Sequence, residues 1–426
     1  SGQTGKDMKL LLVLTALVAL ATAEWKSYQN YQQVEVIPRT EEQIGTLRNW
    51  MSTEVDLDFW LEPGRLNAPV HILVAPRIRP VIYRRLNDLG LQIKVIDENV
   101  GATVEEERQR LANKPRAIDL DDFNTYDDIM DWIDEVAADC PSGLECTVSV
   151  PGTSYEGRDM KVLRIRNPNT INPPVYWMDS AIHAREWLAP ATLLKIIDYM
   201  IYQYGSDSDV TSMLDSHEFW FLPVMNPDGY VYSWTSDRMW RKNRSPNQGS
   251  ACVGTDLNRN YDWRWCMEGA STLPCSDAYC GSSGGSEDET KVVMAESARV
   301  AGNSNNRAWI TFHAYGRMWM FPWGNTVNHA GFQCERAADH DEMQRVSTIT
   351  SNAIRATYNT QWDDGTSCEV IYETTGATDD YVKGTDDWQH AICPELRGNG
   401  FVVPPSEIEP SFREIWSGIV AMTGEV

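Results

Sequence analysis

The stretch Ser180-Ala181-Ile182-His183-Ala184-Arg185-Glu186-Trp187 constrains this chain most, because it sets an imidazole and a carboxylate three residues apart beside an apolar run. Upstream, Pro174-Val175-Tyr176-Trp177-Met178 reads as a buried strand; downstream, Leu188 to Tyr204 carries apolar residues at helical spacing after Pro190. His183 and Glu186 thus fall where a strand has ended and a helix is about to begin. Zinc accepts imidazole nitrogen and carboxylate oxygen, and a catalytic zinc takes three protein ligands and a water. A third ligand has to come from elsewhere. Trp309-Ile310-Thr311-Phe312-His313 is a second buried strand ending in histidine, and in sheets of this kind ligands converge at strand ends on one edge. Taken singly, each histidine is more simply a hydrogen-bonded structural residue. His217, His329, His340 and His390, in polar or loop contexts, keep that reading.

A length of 426 residues exceeds one average domain, and 42% hydrophobic and 10% aromatic residues are enough for a large core. The formal charge of −24 argues against nucleic acid or an anionic membrane as a partner, since phosphate binding needs clustered Lys and Arg. Cationic partners stay favoured, although acidity also serves plain solubility. Met8-Lys9, the apolar run Leu10 to Leu20 and the small-x-small end Ala21-Thr22-Ala23 make residues 8–23 a signal peptide, so a secreted, extracellular protein is expected. That run is too short to span a membrane and no later one is long enough. Ser1 to Asp7 reads as extraneous and is left out of fold reasoning.

Residues 24–116 lack cysteine and alternate strands with helices. Gln33–Ile37, Val55–Leu61, Val70–Val74 and Leu91–Ile96 read as strands; Glu41–Met51 and Arg77–Leu89, closed by Gly90, read as helices. The order predicts a small α+β, ferredoxin-like domain with a split βαβ arrangement. His71 on its third strand reads as a packed histidine. Val104 to Ala117 is a charged connector whose Arg116-Ala117 bond is the cleanest trypsin-type target, Lys114 being followed by proline. One reading is a propeptide, 24–116, that is cut away; the other is a solvated helix between two permanent domains.

Residues 117–426 read as one α/β domain, a mixed, mostly parallel sheet flanked by helices. Tyr126–Val136 is an amphipathic helix, Thr147–Val150, Met160–Arg166 and Glu218–Val224 are strands, and Asn226-Pro227-Asp228-Gly229-Tyr230 is a turn signal.

Several separated motifs then resemble the zinc metallocarboxypeptidases of the pancreatic A/B type, over nearly all of Glu24 to the C-terminus. They are His183-Ala184-Arg185-Glu186, Leu222 to Tyr230, Arg238-Met239-Trp240-Arg241-Lys242, Asp256-Leu257-Asn258-Arg259-Asn260, Phe312-His313-Ala314-Tyr315, Ile371-Tyr372 and Pro394-Glu395-Leu396-Arg397. The resemblance implies one zinc ion per chain on His183, Glu186 and His313, with water activated at neutral pH. Glu395 matches the general base and Arg241 the donor to the developing oxyanion. Arg238, Lys242 and Arg244 read as solvated charges, and the simpler reading of Glu395 is a salt bridge with Arg397. Asn258 and Arg259 match the clamp on a free terminal carboxylate, and Tyr372 the tyrosine that closes over it. Arg185 and Tyr315 match residues of more distant subsites, and Asp256 matches the carboxylate that orients His183.

The resemblance also places the seventh residue after Tyr372 at the base of the pocket for the leaving side chain. Here that is Asp379, acidic as in B-type enzymes, so removal of C-terminal Lys and Arg is expected. An exposed Asp379 would restore an A-type preference for aromatic or aliphatic ends. Gly324 and Ser367 match the pocket wall. Nine cysteines in a secreted chain imply disulfides with one thiol over. The resemblance pairs Cys252 with Cys275 and Cys266 with Cys280; Cys334 with Cys368 and the close pair Cys140 and Cys146 are further pairings. Cys393 is left, on the same strand face as Glu395 and so beside the pocket, where the family's usual residue is not a thiol. The turn Arg397 to Phe401 is shorter than the vertebrate pattern.

The implied partners are peptide and protein C-termini as substrates, an activating trypsin-like protease, and the propeptide as inhibitor, on a monomer. A catalytically silent zinc-bound homologue would keep the metal ligands and lose the base or the clamp. A serine hydrolase finds no Gly-x-Ser-x-Gly elbow in the chain.

Overall fold

The computed structural model describes residues 25–54, 56–303, 305–328 and 333–425. The signal peptide read at 8–23 and His329 lie outside them. The N-terminal unit runs β1 (Gln32–Val36), α1 (Glu41–Thr53), β2 (Leu57–Leu61), β3 (Val70–Val74), α2 (Arg79–Asp88), β4 (Lys94–Asp97) and α3 (Val100–Ala112). Thr40 starts α1 with a capping box: its hydroxyl takes the Gln43 N–H, and the Gln43 side chain returns to the Thr40 N–H. The strands form an antiparallel sheet in the order β2-β3-β1-β4, the ferredoxin-like arrangement.

Strand alternation sends Val34, Val36, Val70, Ile72 and Val74 to one face, under Leu47 and Trp50 of α1 and Ile82 and Leu86 of α2. Gln33, His71 and Leu73 point the other way. All five residues of β3 are nevertheless buried, because the second domain covers that face.

The connector departs from a solvated helix. Its α3 buries Val100, Val104 and Glu107, and Glu107 Oε2 accepts from Arg238 Nε of the second domain at 2.5 Å. Arg238, read from sequence as solvated, is fully buried, stands 3.6 Å from the Trp187 ring centroid and donates to the Arg185 and Phe401 carbonyls. Lys242 is buried too, donating to the Pro274 carbonyl at 2.7 Å, and Arg244 lies over Tyr232 and Trp240. Their partners are aromatic faces and carbonyls brought in by the fold, which local polarity does not reveal. Truncating one half of a buried ion pair strands the other charge, so Glu107→Ala is expected to cost about 3 kcal/mol of intact-chain stability. Urea unfolding checks this: a loss below about 1 kcal/mol would mean that Arg238 finds water or another partner without difficulty.

The second domain begins with α4 (Tyr126–Ala138), β5 (Glu145–Ser149), β6 (Val162–Arg166), β7 (Pro174–Ser180), α5 (Leu188–Gln203), α6 (Ser208–Ser216), β8 (Glu218–Leu222), α7 (Pro227–Thr235), α8 (Asp288–Asn303) and β9 (Asn305–Ala314). It continues with β10 (Met318–Phe321), β11 (Thr326–Asn328), β12 (Gln333–Cys334), α9 (His340–Tyr358), β13 (Asp363–Thr366), α10 (Ser367–Val370), α11 (Thr378–Asp386), β14 (His390–Leu396) and α12 (Ile408–Thr423). Eight strands form one sheet in the order β13-β10-β14-β9-β7-β8-β6-β5. The central run β14-β9-β7-β8 is parallel, and β6, β5 and the β10–β14 pair are antiparallel. This is the mixed, mostly parallel sheet expected.

Helices cover both faces because the central strands are apolar on both sides. Along β7, Tyr176 and Met178 join the core that includes residues of α5 and α12, while Val175 and Trp177 join residues of α8 and α11. Trp177 stacks on Trp309 with ring centroids 4.5 Å apart. The turn read at Asn226–Tyr230 is instead the start of α7, with Pro227 in the first turn and Asn226 as N-cap accepting from the Gly229 N–H. Disulfides join Cys140 to Cys146, Cys252 to Cys275, Cys266 to Cys280 and Cys334 to Cys368; Cys393 is a buried free thiol.

Candidate active site

The parallel strands β7, β9 and β14 deliver the site at their carboxyl ends, where such sheets place ligands. His183 and Glu186 sit in the loop between β7 and α5; His313 is the penultimate residue of β9 and stands in register with Glu395 of β14. Asn226 ties the walls together, its side-chain amide donating to the Ile182 and Lys242 carbonyls at 3.0 and 3.1 Å. Read from sequence as part of a turn, it clasps the loops that carry His183 and Arg241.

His183 Nδ1 lies 2.7 Å from Glu186 Oε1, and His313 Nδ1 lies 3.2 Å from His183 Nδ1 and 3.1 Å from Glu186 Oε2. All three residues are buried, and their candidate ligand atoms fall within 4.8 Å of one another. His183 Nε2 donates to Asp256 Oδ1 at 3.1 Å, which leaves the lone pair on Nδ1, facing the other two residues. Lone pairs converging in a dry place need a proton or a cation among them. Two imidazoles and one carboxylate with an oriented histidine form a donor set that suits zinc. Burial pushes the Glu186 carboxyl up, but the His183 and His313 rings outweigh it and hold the carboxyl far below its ordinary range.

Asp256 also accepts two bonds from Arg241, at 2.8 Å from Nη2 and 3.1 Å from Nε. It follows a type of spacing common at caps, taking the Asn258 N–H at the short 3-10 turn Leu257–Arg259. That turn aims Arg259, whose Nη2 donates to the Tyr372 hydroxyl at 2.6 Å and whose Nη1 holds the Asn258 carbonyl at 2.9 Å. Asn258 Oδ1 accepts from Thr378 N at 2.9 Å, joining the turn to the first residue of α11.

Asp379 follows Thr378 and is buried, not exposed; Ser367 Oγ donates to its Oδ2 at 3.2 Å. Burial raises its pKa, opposed by the first N–H groups of α11 and by Ser367. Asp380 beside it is also buried and takes the Gly324 N–H with both oxygens, at 3.0 and 3.1 Å. Burial, then the neighbouring Asp379 charge, keep Asp380 well above the ordinary carboxyl range. Among the described residues no basic side chain bonds Asp379.

Glu395 does not pair with Arg397, which turns to Glu407 and Glu414. Its Oε2 is shielded from solvent and without a hydrogen-bond partner, and burial, then the Glu186 charge, raise its pKa. Glu395, Asp379, Ser367, Cys393, Asn258, Arg259 and Tyr372 line one cavity of about 80 Å³ together with the three candidate ligands.

The N-terminal unit closes that cavity with Trp60, Leu61 and Glu62. Asp58 accepts from Arg185 Nη1 at 2.9 and 3.0 Å, so Arg185 is covered rather than open. Tyr315 Oη lies 2.8 Å from His71 Nδ1 and 3.3 Å from Gln33 Nε2, and Gln33 also donates to the Asn399 carbonyl at 2.6 Å. Gly64 admits no side chain: a Cβ there would stand 1.9 Å from the Ile371 carbonyl oxygen, next to Tyr372. These capping residues were missed in the sequence, where the alternation Asp58-Phe59-Trp60-Leu61-Glu62 puts the two acids and Trp60 on one strand face and was the available signal.

The sequence pattern of the family described as zinc carboxypeptidase matches residues 129–418, and that described as carboxypeptidase activation peptide matches residues 34–107. The chain is 34% identical over 427 residues to carboxypeptidase A2 of Rattus norvegicus, covering 97% of both chains. It is 30% identical over 430 residues to carboxypeptidase B of Bos taurus, covering 98% of this chain and 99% of that one. The crystal structure of thrombin activatable fibrinolysis inhibitor superposes with a TM-score of 0.82 at 30% identity, covering 94% of this chain and 99% of the other.

Proposed function

The chain belongs to the zinc carboxypeptidase family, and on that premise we propose that it is the zymogen of a secreted enzyme removing C-terminal Lys and Arg from peptides and proteins. The observation that carries the reaction is the meeting of the His183, Glu186 and His313 donors with Arg259, Tyr372 and Glu395 in one cavity. Zinc held by His183, Glu186 and His313 supplies Lewis acidity and brings the pKa of a water toward about 7.

The protein's own groups do the rest. Arg259 and Asn258 hold the substrate's terminal carboxylate, and the Tyr372 hydroxyl, already on Arg259, closes over it. That clamp restricts attack to the last peptide bond. Glu395 takes a proton from water as its oxygen bonds to the scissile carbonyl carbon, and then delivers that proton to the leaving amine as the C–N bond breaks. Arg241, held in place by Asp256, faces the carbonyl oxygen as it gains negative charge. Asp256 keeps the His183 tautomer with its lone pair on Nδ1.

The preference rests on Asp379, a buried carboxylate that gains a partner when a substrate Lys or Arg arrives. Whole-chain identity to A-type and B-type relatives differs little, 34% against 30%, and does not bear on one pocket residue. Of the connector's basic residues, Arg108 pairs with Glu105, Arg110 with Asp122, and Lys114 donates to the Phe123 carbonyl and Asn124. Arg116 is exposed and has no such partner among the described residues, which supports a propeptide of 24–116 and an enzyme of 117–426 released by a trypsin-like protease. Four disulfides suit an oxidising, extracellular setting, and no helix among the described residues is long and apolar enough to cross a membrane.

Trypsin treatment is expected to switch on release of Arg faster than Phe from matched blocked dipeptides, and a zinc chelator to abolish both. Arg116→Gln should leave the zymogen inactive after the same treatment. Chelator-insensitive hydrolysis would remove the metal from the reaction, and normal activation of the Arg116 variant would move the cut elsewhere.

A further inference from the structure

We propose that Asp237 is an anionic subsite at the far end of the substrate cleft, taking a basic side chain about three or four residues upstream of the scissile bond. This rests on the exopeptidase reading above and adds a second determinant to it. Asp237 lies between α7 and Arg241, and its Oδ2 accepts from Lys26 Nζ at 2.9 Å. Its Oδ1 accepts from the Tyr28 hydroxyl at 2.5 Å and from the Met239 N–H at 3.1 Å. The Lys26 N–H donates to the Ser236 carbonyl at 2.8 Å, so the N-terminal segment lies on this wall as a bound peptide does, with a cation on the carboxylate.

Both side-chain partners belong to the segment that leaves on activation. Only the Met239 N–H would remain, and the carboxylate would face the cleft. A cavity lies between this wall and the N-terminal unit, with Asp237, Met239, Trp240, Arg241 and Arg185 on the enzyme side and Lys26, Tyr28 and Asp58 among the residues that close it from the other. The Trp240 N–H donates to the Asp237 carbonyl at 2.9 Å, a turn that keeps the Cα atoms of 237 and 240 within about 7 Å and so Asp237 within about 11 Å of Arg241. An extended peptide advances about 3.3 Å per residue, so that span covers about three residues, and the reach of the Arg241 side chain toward the scissile carbonyl adds up to one more. Among the charges around it, Arg185 holds Asp58 and stands 3.7 Å from Asp277, Lys242 is tied to the Pro274 carbonyl, and Arg238 is held by Glu107. Loss of the propeptide takes Glu107 from Arg238 and Asp58 from Arg185, which keeps Asp277 at 3.7 Å, so both guanidinium groups are rivals for Asp237.

The test uses the trypsin-activated chain freed of its propeptide and blocked peptides ending in Arg, with Lys, Ala or Glu at the third, fourth or fifth position before the scissile bond. Lys at one position should raise kcat/KM about fivefold over Ala, as for a partly exposed ion pair, and the gain should shrink at high salt. In Asp237→Asn, which keeps an acceptor for Met239, the Lys to Ala ratio should fall to about one. Binding of the same peptides to a Glu395→Gln enzyme reads the subsite without turnover. Equal affinity for Lys and Ala peptides at every position, or an unchanged ratio in Asp237→Asn, overturns the subsite, including through capture by Arg238 or Arg185. A blocked dipeptide is too short to reach Asp237, so failure to cleave it counts against the exopeptidase reading while tighter binding of a Lys peptide still supports the subsite.

Discussion

Glu395→Gln is expected to lower kcat by about 10³- to 10⁴-fold while one zinc ion per chain is retained and KM changes little, the upper end of what a positioned general base contributes. The substitution keeps the size of the side chain and its place on β14, in register with His313 on one side and Met318 on the other. It removes only the ability to accept and return a proton. Glu395 suits that task because Oε2 has no partner to compete with water, while Arg241 draws the carboxyl back toward its charged form against burial and the Glu186 charge. Metal analysis and kcat measured together separate the outcomes. Lost zinc with lost activity would make Glu395 a support of the metal site, and retained zinc with full turnover would assign the base to another group.

Much of this arrangement was legible in the sequence because it is local. The apolar run Pro174–Met178, the helix from Leu188 and the buried strand ending at His313 set His183, Glu186 and His313 at or just beyond strand ends by periodicity, and the resemblance to the zinc metallocarboxypeptidases supplies their reading as ligands. The N-terminal unit was legible for the same reason, its strands alternating with its helices in the order found. What escaped depends on pairs far apart in the chain. Glu107 and Arg238 look like surface charges until α3 is laid against Trp187, and Asn226 looks like a turn residue until its amide meets two loops. Arg185 and Tyr315 were legible as cleft residues, but not that Asp58, His71 and Gln33 already occupy them.

The cover is built from the chemistry that the cleft is shaped to receive. Asp58 offers Arg185 a carboxylate, Lys26 offers Asp237 an ammonium, and Glu62, half-buried beside the clamp, has Arg259 and Arg241 as the cations opposing the desolvation of its carboxyl. Each contact satisfies a charge that would otherwise face a dry interface unpaired. Inhibition by the propeptide and stability of the intact chain therefore draw on the same residues, so substitutions such as Glu107→Ala are expected to weaken both together.

Asp379→Asn is expected to lower kcat/KM for C-terminal Arg by about 10³-fold and to leave Phe within a fewfold, reversing the preference. Removing one partner of a buried ion pair costs about 3–5 kcal/mol, and that loss falls on the cationic substrate alone. Asn is the stringent choice: it keeps the Ser367 bond and the first turn of α11, so packing stays and only charge goes. Asp380 could blunt the effect by ionising in its place, but both its oxygens are engaged by the Gly324 N–H. Ser367→Ala supplies the scale, since it removes one neutral hydrogen bond to Asp379 and should cost Arg hydrolysis only about fivefold. Retained Arg preference in Asp379→Asn would shift the determinant to Asp380, and faster Phe than Arg release by the unaltered enzyme would assign the pocket to aromatic and aliphatic ends despite its buried acid.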